Sequence, residues 1–368
     1  MADKSTLGVG IVGCGVISGI YLQNIVKLEH IETVALADIN EECAQARAEE
    51  FKIPKVCSVE ELLADPDVDI VLNLTIPKVH GEIALKAIAA GKHVYNEKPL
   101  AFTVDEARQV LEAAEKAGVR VGCAPDTVMG GALQTSRKII DDDAIGKPLA
   151  ATIFMVGRGP ESWHPNPDFL YQVGGGPLMD MGPYYLTTLV TMLGPAKTVY
   201  ASAKASFPER TIGSGPREGE KIKVETPTYI AGTIDFANGV IATLIFSFET
   251  VAHHLPRIEI HGTKSSLSVP DPNSFGLRKE ELNPIELFDM EAGEWKLMPY
   301  THGYNENSRG IGVNDMAEAI KTGRKHRANG EIAFHVLEIL ESLLESAKQG
   351  KRIELSSTCE KPEALPAI

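Results

Sequence analysis

Short apolar runs alternate with amphipathic stretches over the first third of the chain. LGVGIVG (7–13), TVALADI (33–39), DIVLNLTIP (69–77), KHVYNEKP (92–99) and VRVGC (119–123) are continuously apolar or alternate with period two, as strands do. Between them the spacing predicts helices from about residue 16 to Leu28, over 41–50, over SVEELLADPDV (58–68) with its cap at Ser58, and over VHGEIALKAIAAG (79–91), closed by Gly91. A further helix runs to Ala117 behind a Thr103/Glu106 capping box. Strands alternating with helices predict a parallel sheet covered on both faces.

After Cys123 the pattern changes. PDTVMGGALQTSRKIIDDDAIG (125–146) predicts a helix from near Val128, and PLAATIFMVGRG (148–159) a long strand. ESWHPNPDFLYQV (161–173) reads as an irregular loop, and GGGPLMDMGPYYL (174–186) opens a helix that Gly194-Pro195 ends. Strands over 197–207, 227–236, 239–250 and 257–269 follow, with Asn238-Gly239 and Gly262–Lys264 as tight turns. Residues 209–226 read as a polar loop. Helices over 312–322 and 329–348 close the chain, the second with Ala333, Val336, Leu337, Leu340 and Leu344 on its core side, and the last ten residues are expected to be poorly ordered. The expected division is 1–123, an α/β domain with a parallel sheet, and 124–368, an α+β domain with a large, predominantly antiparallel open sheet. Helices within 312–348 are candidates to pack back on the first domain.

The chain has 368 residues, enough for two cores, and its 43% hydrophobic and 23% charged residues are those of a globular protein. A formal charge of -14 argues against nucleic acid or an anionic membrane as partner. No apolar run reaches spanning length, and the start lacks the apolar region of a signal peptide. Cys14, Cys43, Cys57, Cys123 and Cys359 follow no CxxC or zinc spacing, so no metal site is expected. Sparse, odd-numbered cysteines fit a reducing compartment, and the cytoplasm is the expected location.

G-C-G-V-I-S-G (13–19), between a strand and a helix, carries the clearest chemistry. Gly13 makes the tight turn, Gly15 lets the backbone approach a pyrophosphate, and Val16 and Ile17 begin a helix with unpaired amides. Ser18 stands where a third small residue belongs. Asp38, at the end of the next strand, accepts from both ribose hydroxyls and repels a 2′-phosphate, so NAD is favoured over NADP. Ligands of such sheets sit beyond the carboxyl ends of the strands, which makes Thr75, Pro77, Glu97 and Lys98 candidates. Pro99 keeps Lys98 out of the helical region, and an ammonium so presented can stabilise charge on an alcohol oxygen. His80, opening its helix, is a further cofactor-side candidate, with packing or capping as the alternative.

GGGPLMD lacks the preceding βαβ strand and the lysine of a phosphate loop. Its glycines read as room for a ligand and as a turn into a helix whose first turn carries Asp180. Tyr184, four residues on, shares a face with Asp180. Such a pair has the chemistry to accept an alcohol proton and orient a substrate, with a helix-dipole aspartate and a core tyrosine as the plain alternative. Asp126, before its helix, is a cap or a substrate contact. Trp163, His164, His254 and Tyr304 join it as substrate-side candidates, because a stacked ring with fixed polar groups suits a sugar.

GIVGCGVIS, ADIN, NEKPL and GGGPLMDMG together resemble the glucose–fructose oxidoreductase, inositol dehydrogenase and rhizopine catabolism (Gfo/Idh/MocA) family over nearly the whole chain. The resemblance implies a Rossmann domain followed by a mixed domain whose open sheet builds dimers or tetramers. It also implies NAD(P)-dependent oxidation or reduction at a sugar or polyol carbon. Lys98 matches the lysine of the EKP motif, and Asp180 the aspartate of the second-domain motif, where Gly176 and Gly182 also fit. Tyr184 departs from the histidine of many members and agrees with the glucose–fructose branch. A phenol ionises near pH 10 against about 6.5 for imidazole, so a tyrosine base implies an alkaline optimum. A dehydrogenase is the leading expectation. An enzyme that recycles tightly bound cofactor, to exchange oxidation state between sugars or cleave a glycoside, and a non-catalytic NAD(H) sensor are the alternatives.

Overall fold

In the computed structural model the described residues are 6–278 and 281–368. The chain forms two compact units, Met1–Gly130 with Tyr304–Leu337, and Gly131–Gly303 with Glu338–Ile368. The first unit thus runs past Cys123 and takes in a segment from near the end of the chain.

Its leading part is β1 (Leu7–Val12), α1 (Ser18–Ile25), β2 (Ile31–Ala37), α2 (Glu41–Phe51), α3 (Val59–Ala64), β3 (Ile70–Asn73), α4 (His80–Ala89), β4 (His93–Asn96), α5 (Val104–Ala117) and β5 (Val121–Cys123). The strands form one parallel sheet in the order β2-β1-β3-β4-β5. Val9, Ile11, Leu36, Ile70, Leu72 and Val94 are fully buried in it. Register sets where chemistry can occur. Ala37 pairs with Val12, Val12 with Asn73, Asn73 with Asn96, and Asn96 with Cys123. The strands therefore end level, and the loops after them share one rim. Ser58 and Glu61 close the capping box of α3. At α5 only half of the expected box forms: Thr103 accepts from Glu106 N–H, while Glu106 reaches back to Phe102 N–H at 3.1 Å.

The helix expected from near Val128 is broken. A 3-10 turn spans Asp126–Met129, Gly130 is extended (φ −71°, ψ 157°), and α6 (Gly131–Asp141) starts only after it. The second unit continues with β6 (Pro148–Val156), α7 (Gly176–Leu193), β7 (Ala196–Lys204), β8 (Glu209–Thr211), β9 (Lys221–Lys223), β10 (Tyr229–Phe236), β11 (Ile241–Ser247), β12 (Ile258–Gly262), β13 (Ser266–Val269), β14 (Leu277–Arg278), β15 (Glu281–Leu282), β16 (Glu286–Asp289) and β17 (Glu294–Leu297). After these come α8 (Ile311–Thr322) in the first unit, α9 (Gly330–Gln349), within which the units divide, and β18 (Ile353–Glu354).

Among the described residues the large sheet has the order β17-β16-β13-β12-β6-β11-β10-β7-β18, parallel at β11–β6 and otherwise antiparallel. Its inner face, Ile153, Ile230, Ile234, Ala242, Leu244 and Phe246, is buried, and Tyr185 of α7 meets Phe246 edge-on at 5.5 Å. Stretch 209–226 holds the β8–β9 hairpin rather than a plain loop. On α9 it is Leu343 that is fully buried, with Leu344 only half-buried. The last ten residues are tied down, against expectation. Leu365 N–H donates to Gln134 at 2.8 Å, Ile368 N–H to Thr301 O at 3.0 Å, and Cys359 is buried.

Candidate active site

Two glycines of the turn after β1 have different reasons to be glycine. Gly13 has φ +98°, and a Cβ there would lie 2.7 Å from the carbonyl carbon of Leu74. The fold itself demands that residue. At Gly15 a Cβ would meet nothing within 4 Å, so the protein does not demand it; the space it leaves faces outward. Ser18 fits the third position because its buried hydroxyl donates to Gly15 O at 2.6 Å. No side chain caps α1, and while Ser18 N–H donates to Gly15 O at 3.2 Å, the amides of Val16 and Ile17 before it are left to an anion.

Asp38 completes the rim after β2. One carboxylate oxygen accepts from Cys14 N–H at 2.6 Å and the other from Asn40 N–H at 2.8 Å. A carboxylate offers about four acceptor sites, so capacity for two ribose hydroxyls remains. Val16, Ile39 and Ile76, after β1, β2 and β3, are exposed aliphatic side chains along the same rim and suit flat rings. Open space at Gly15, an uncapped helix start and a fixed acid together fit a dinucleotide. Burial, and then the charge of Asp38, push the Cys14 thiol up to about 12, so it is not a nucleophile.

Further along the rim, Thr75, Pro77, Glu97 and Lys98 lie in the loops after β3 and β4, as expected. Thr75 gives its N–H and hydroxyl to Asn73 Oδ1, at 3.3 and 2.6 Å. Glu97 accepts from Tyr21 OH at 2.8 Å and from Lys98 N–H at 2.9 Å, which fixes the backbone that carries Lys98. Pro77 is exposed and opens a 3-10 turn. His80 is different. It has 0% exposure, and its ring nitrogens face Pro99 O at 2.7 Å and Thr75 O at 2.9 Å. Its assignment as a cofactor contact is therefore corrected: no ring atom is left to reach a ligand. Burial holds its imidazole below the ordinary histidine range, against the pull of the two carbonyls.

Asp126 is corrected as well. At 1% exposure it does not face a substrate, and its oxygens accept from Tyr95 OH, Gly310 N–H (2.6 Å) and Gly312 N–H (3.1 Å). It is a cap, but of α8, a helix far along the chain. Gly312 has no room for a Cβ against Tyr95 and Asp126. Burial raises the Asp126 carboxyl while its three donors lower it, with the balance upward.

In the second unit, the space at Gly175, Gly176 and Gly182 is filled by protein rather than by ligand. Gly174 and Gly176 have φ +89° and +87°. A Cβ on Gly175 would strike Phe169 O, one on Gly176 would lie 2.8 Å from Pro227 O, and one on Gly182 would strike Leu340. The turn into a helix is as expected; the room is not. Because α7 starts at Gly176, Asp180 lies beyond the first turn, which contains no acid, so the dipole explanation loses its basis. Asp180 is partly exposed and Tyr184 is 7% exposed, four residues apart on α7. Pro183 between them lacks the N–H that would bond Met179 C=O. Trp163, 68% exposed, meets His164 edge-on at 5.5 Å, and His164 meets Phe169 at 5.6 Å. Ion pairs of Arg210 with Glu161 and Arg217 with Asp168 staple this aromatic loop to the β8–β9 segment. His254 lies in an exposed stretch, and Tyr304, in the first unit, is exposed at φ +58°.

The model of an oxidoreductase family with an NAD-binding Rossmann fold matches residues 7–124, and that of the GFO/IDH/MocA C-terminal domain matches residues 133–268. The chain belongs to the Gfo/Idh/MocA oxidoreductase family. It is 30% identical over 342 residues to 1,5-anhydro-D-fructose reductase of Ensifer adhaerens, over 88% of this chain and 97% of that one. An NAD binding oxidoreductase from Klebsiella pneumoniae shares the fold with a TM-score of 0.81 at 23% identity, over 95% of this chain and 99% of the other. Aldose-aldose oxidoreductase from Caulobacter crescentus shares it with a TM-score of 0.75 at 24% identity, over 95% and 100%.

For this NAD-binding oxidoreductase the sequence reading missed Asn73 and Asn96, which are fully buried beneath the rim. Their signal is an amide at the last position of two otherwise apolar strands. It also missed Arg47, whose guanidinium pairs with Glu50 at 2.6 Å and points at Gly15 O from 3.5 Å. A cavity of about 640 Å³ lined by Arg108, Arg120, His326 and Phe334 lies at the opposite end of β5, away from the rim. Among the described residues no helix is long and apolar enough to cross a membrane, and no group of acidic, histidine or cysteine side chains is placed to hold a metal ion.

Proposed function

We propose that the protein oxidises, or in reverse forms, a secondary alcohol or lactol of a sugar or polyol, with NAD as the hydride carrier. The observation that carries this reading is the rim of the first unit: open space at Gly15 beside an Asp38 carboxylate that is fixed yet keeps free acceptor capacity. Its likeness to 1,5-anhydro-D-fructose reductase supports a sugar-derived substrate. When bound, NAD supplies the acceptor for hydride from the carbinol carbon.

The chain's own residues handle the proton. Lys98, on a backbone held by Glu97, is assigned to the hydroxyl oxygen, where its ammonium stabilises negative charge. Asp180 and Tyr184, on one face of α7, are assigned to orient the alcohol and accept its proton. Exposed Trp163 and Phe169, with half-buried His164 between them, offer rings on which a sugar face can stack. The outer face of the large sheet carries Thr152, Thr243, Thr233 and Tyr200 in one cross-strand row. A neutral surface of this kind supports a homodimer or homotetramer built through that sheet, and five free cysteines support a cytoplasmic location.

The test is incubation with NAD and a panel of sugars, anhydro sugars and inositols, reading reduced cofactor by absorbance at several pH values, with light scattering for oligomeric state. Turnover of at least one polyol is expected. Cofactor that co-purifies and survives dialysis would favour a recycling enzyme instead. NAD binding with no turnover of any member of the panel would favour a sensor.

A further inference from the structure

Three polar side chains with 0% exposure, Asn73, His80 and Asn96, sit together beneath the rim, at the ends of β3 and β4 and the start of α4. Buried polar groups are costly unless bonded, so three neighbours of this kind need a reason. Their bonds supply one. Asn73 Nδ2 donates to Asn96 Oδ1 at 3.1 Å and to His80 O at 3.2 Å, while Asn96 Nδ2 donates to Leu100 O at 2.7 Å. The Asn73 oxygen takes the N–H and hydroxyl of Thr75. The outer arms of the network thus end on two loops, the turn at Thr75 and the segment 97–100. The imidazole of His80 faces both, with Nδ1 toward Pro99 O and Nε2 toward Thr75 O; carbonyls only accept, so the neutral ring donates to one of them at a time, and its tautomer decides which.

We propose that His80 is a positioning residue with two separable arms. As the Nδ1–H tautomer the ring holds the carbonyl of Pro99 and thereby aims Lys98; as the Nε2–H tautomer it holds the carbonyl of Thr75 and thereby sets the cofactor-side turn that continues into Pro77. This rests on the reading of Lys98 as the residue that acts on the substrate hydroxyl. A ring without exposed surface acts on neither ligand directly, so its effect runs through the loops. A rigid ring with nitrogens on separate edges suits two backbone carbonyls that follow different strands. Misplacing a reacting group by about 1 Å costs on the order of 100-fold in rate.

Amide variants separate the arms. His80→Asn puts a donor near the former Nδ1, His80→Gln near the former Nε2, and His80→Ala removes both. Each is assayed for kcat, for NAD dissociation constant by calorimetry without substrate, and for thermal midpoint. His80→Ala is expected to lower kcat on the order of 100-fold and to weaken NAD binding about 10-fold. His80→Asn is expected to recover most of the lost kcat but not the NAD affinity, and His80→Gln the NAD affinity but not kcat. If His80→Ala fails to fold, the two amide variants are compared with the unsubstituted protein. Equal changes of kcat and NAD affinity in both, or changes that only track the thermal midpoint, would reduce His80 to packing and overturn the proposal. Lys98→Met is assayed beside them. Full kcat in that variant would overturn the Lys98 reading and this proposal together, whereas loss of kcat there with full kcat in His80→Gln would overturn this proposal alone.

Discussion

The backbone N–H of Cys14 donates to the carboxylate of Asp38 at 2.6 Å. The glycine turn after β1 and the acid after β2 are thereby one object, and the residue that would select the ribose also braces the turn that would hold the pyrophosphate. Asp38→Asn keeps the size but removes the charge and replaces one acceptor by a donor. We expect NAD affinity to fall at least 10-fold by calorimetry. Denaturant unfolding should show a loss of about 1–3 kcal/mol, the cost of leaving one of the two amides without its acceptor.

Gly13 and Gly15 should part company on substitution. Gly13→Ala places a Cβ at φ +98° and against the Leu74 backbone, so the thermal midpoint should fall clearly before any ligand is added. Gly15→Ala meets no protein atom and should leave the midpoint of the apoprotein close to its original value, while NAD no longer raises it. Thermal scans with and without NAD decide both. Equal destabilisation by the two substitutions would remove the distinction between a structural and a ligand-facing glycine.

Asp126→Ala strands a phenol and two backbone amides that converge on one carboxylate. The expected loss is about 3–5 kcal/mol in urea unfolding, the size of a broken buried network rather than of a surface contact. Asp126→Asn, which keeps one acceptor oxygen, should fall between this variant and the original protein.

His326 gives the pH dependence a sign. Burial pushes its imidazole down to about 4, with Nε2 held on Val121 O at 3.0 Å. An unfolded chain has it near 6.5. Between those values the unfolded state binds a proton that the folded state refuses. The stability from this residue is complete above pH 6.5 and is lost as pH falls toward 4, a swing on the order of 3 kcal/mol. His326→Gln keeps a donor for Val121 O without titrating. Urea midpoints from pH 7.5 to 4.5 should therefore fall less steeply in that variant.

Much of this architecture is legible in the sequence because it is local. Period-two runs, the Ser58–Glu61 box and Gly91 specify strands and helices through contacts within a few residues, and G-C-G with Asp38 reads as a dinucleotide turn because its spacing is set by one strand–helix–strand unit. Residues whose partners come from elsewhere are the ones the pattern misjudges. Asp126 caps α8, which lies far along the chain, and this draws residues 126–129 into a 3-10 turn where periodicity predicts continuous helix. The final residues look like a polar tail until Gln134 and Thr301 supply their hydrogen bonds. His80 reads as a helix start facing the cofactor, yet the carbonyls of Thr75 and Pro99 claim both its nitrogens. The shared face of Asp180 and Tyr184 follows from helical spacing alone, whereas the fit of Gly175, Gly176 and Gly182 depends on Phe169, Pro227 and Leu340, which no local pattern announces.

Proton handling by α7 is open to a simple substitution. Tyr184→Phe removes only a hydroxyl, and 7% exposure of the side chain means that the ring is already packed. We expect kcat to drop on the order of 100-fold with the NAD dissociation constant unchanged. Unchanged kcat would pass the proton to another group.

The central claim is that hydride moves between a sugar-like carbinol and NAD with Lys98 attending the oxygen. It is tested most directly by label transfer. Polyols and sugars deuterated at the carbinol carbon are incubated with NAD and the protein, and the reduced nicotinamide is analysed by mass spectrometry. We predict deuterium in the nicotinamide with at least one substrate, and its loss or strong reduction in Lys98→Met. Tight NAD binding with no label transferred from any of them, or transfer undiminished in Lys98→Met, would contradict it.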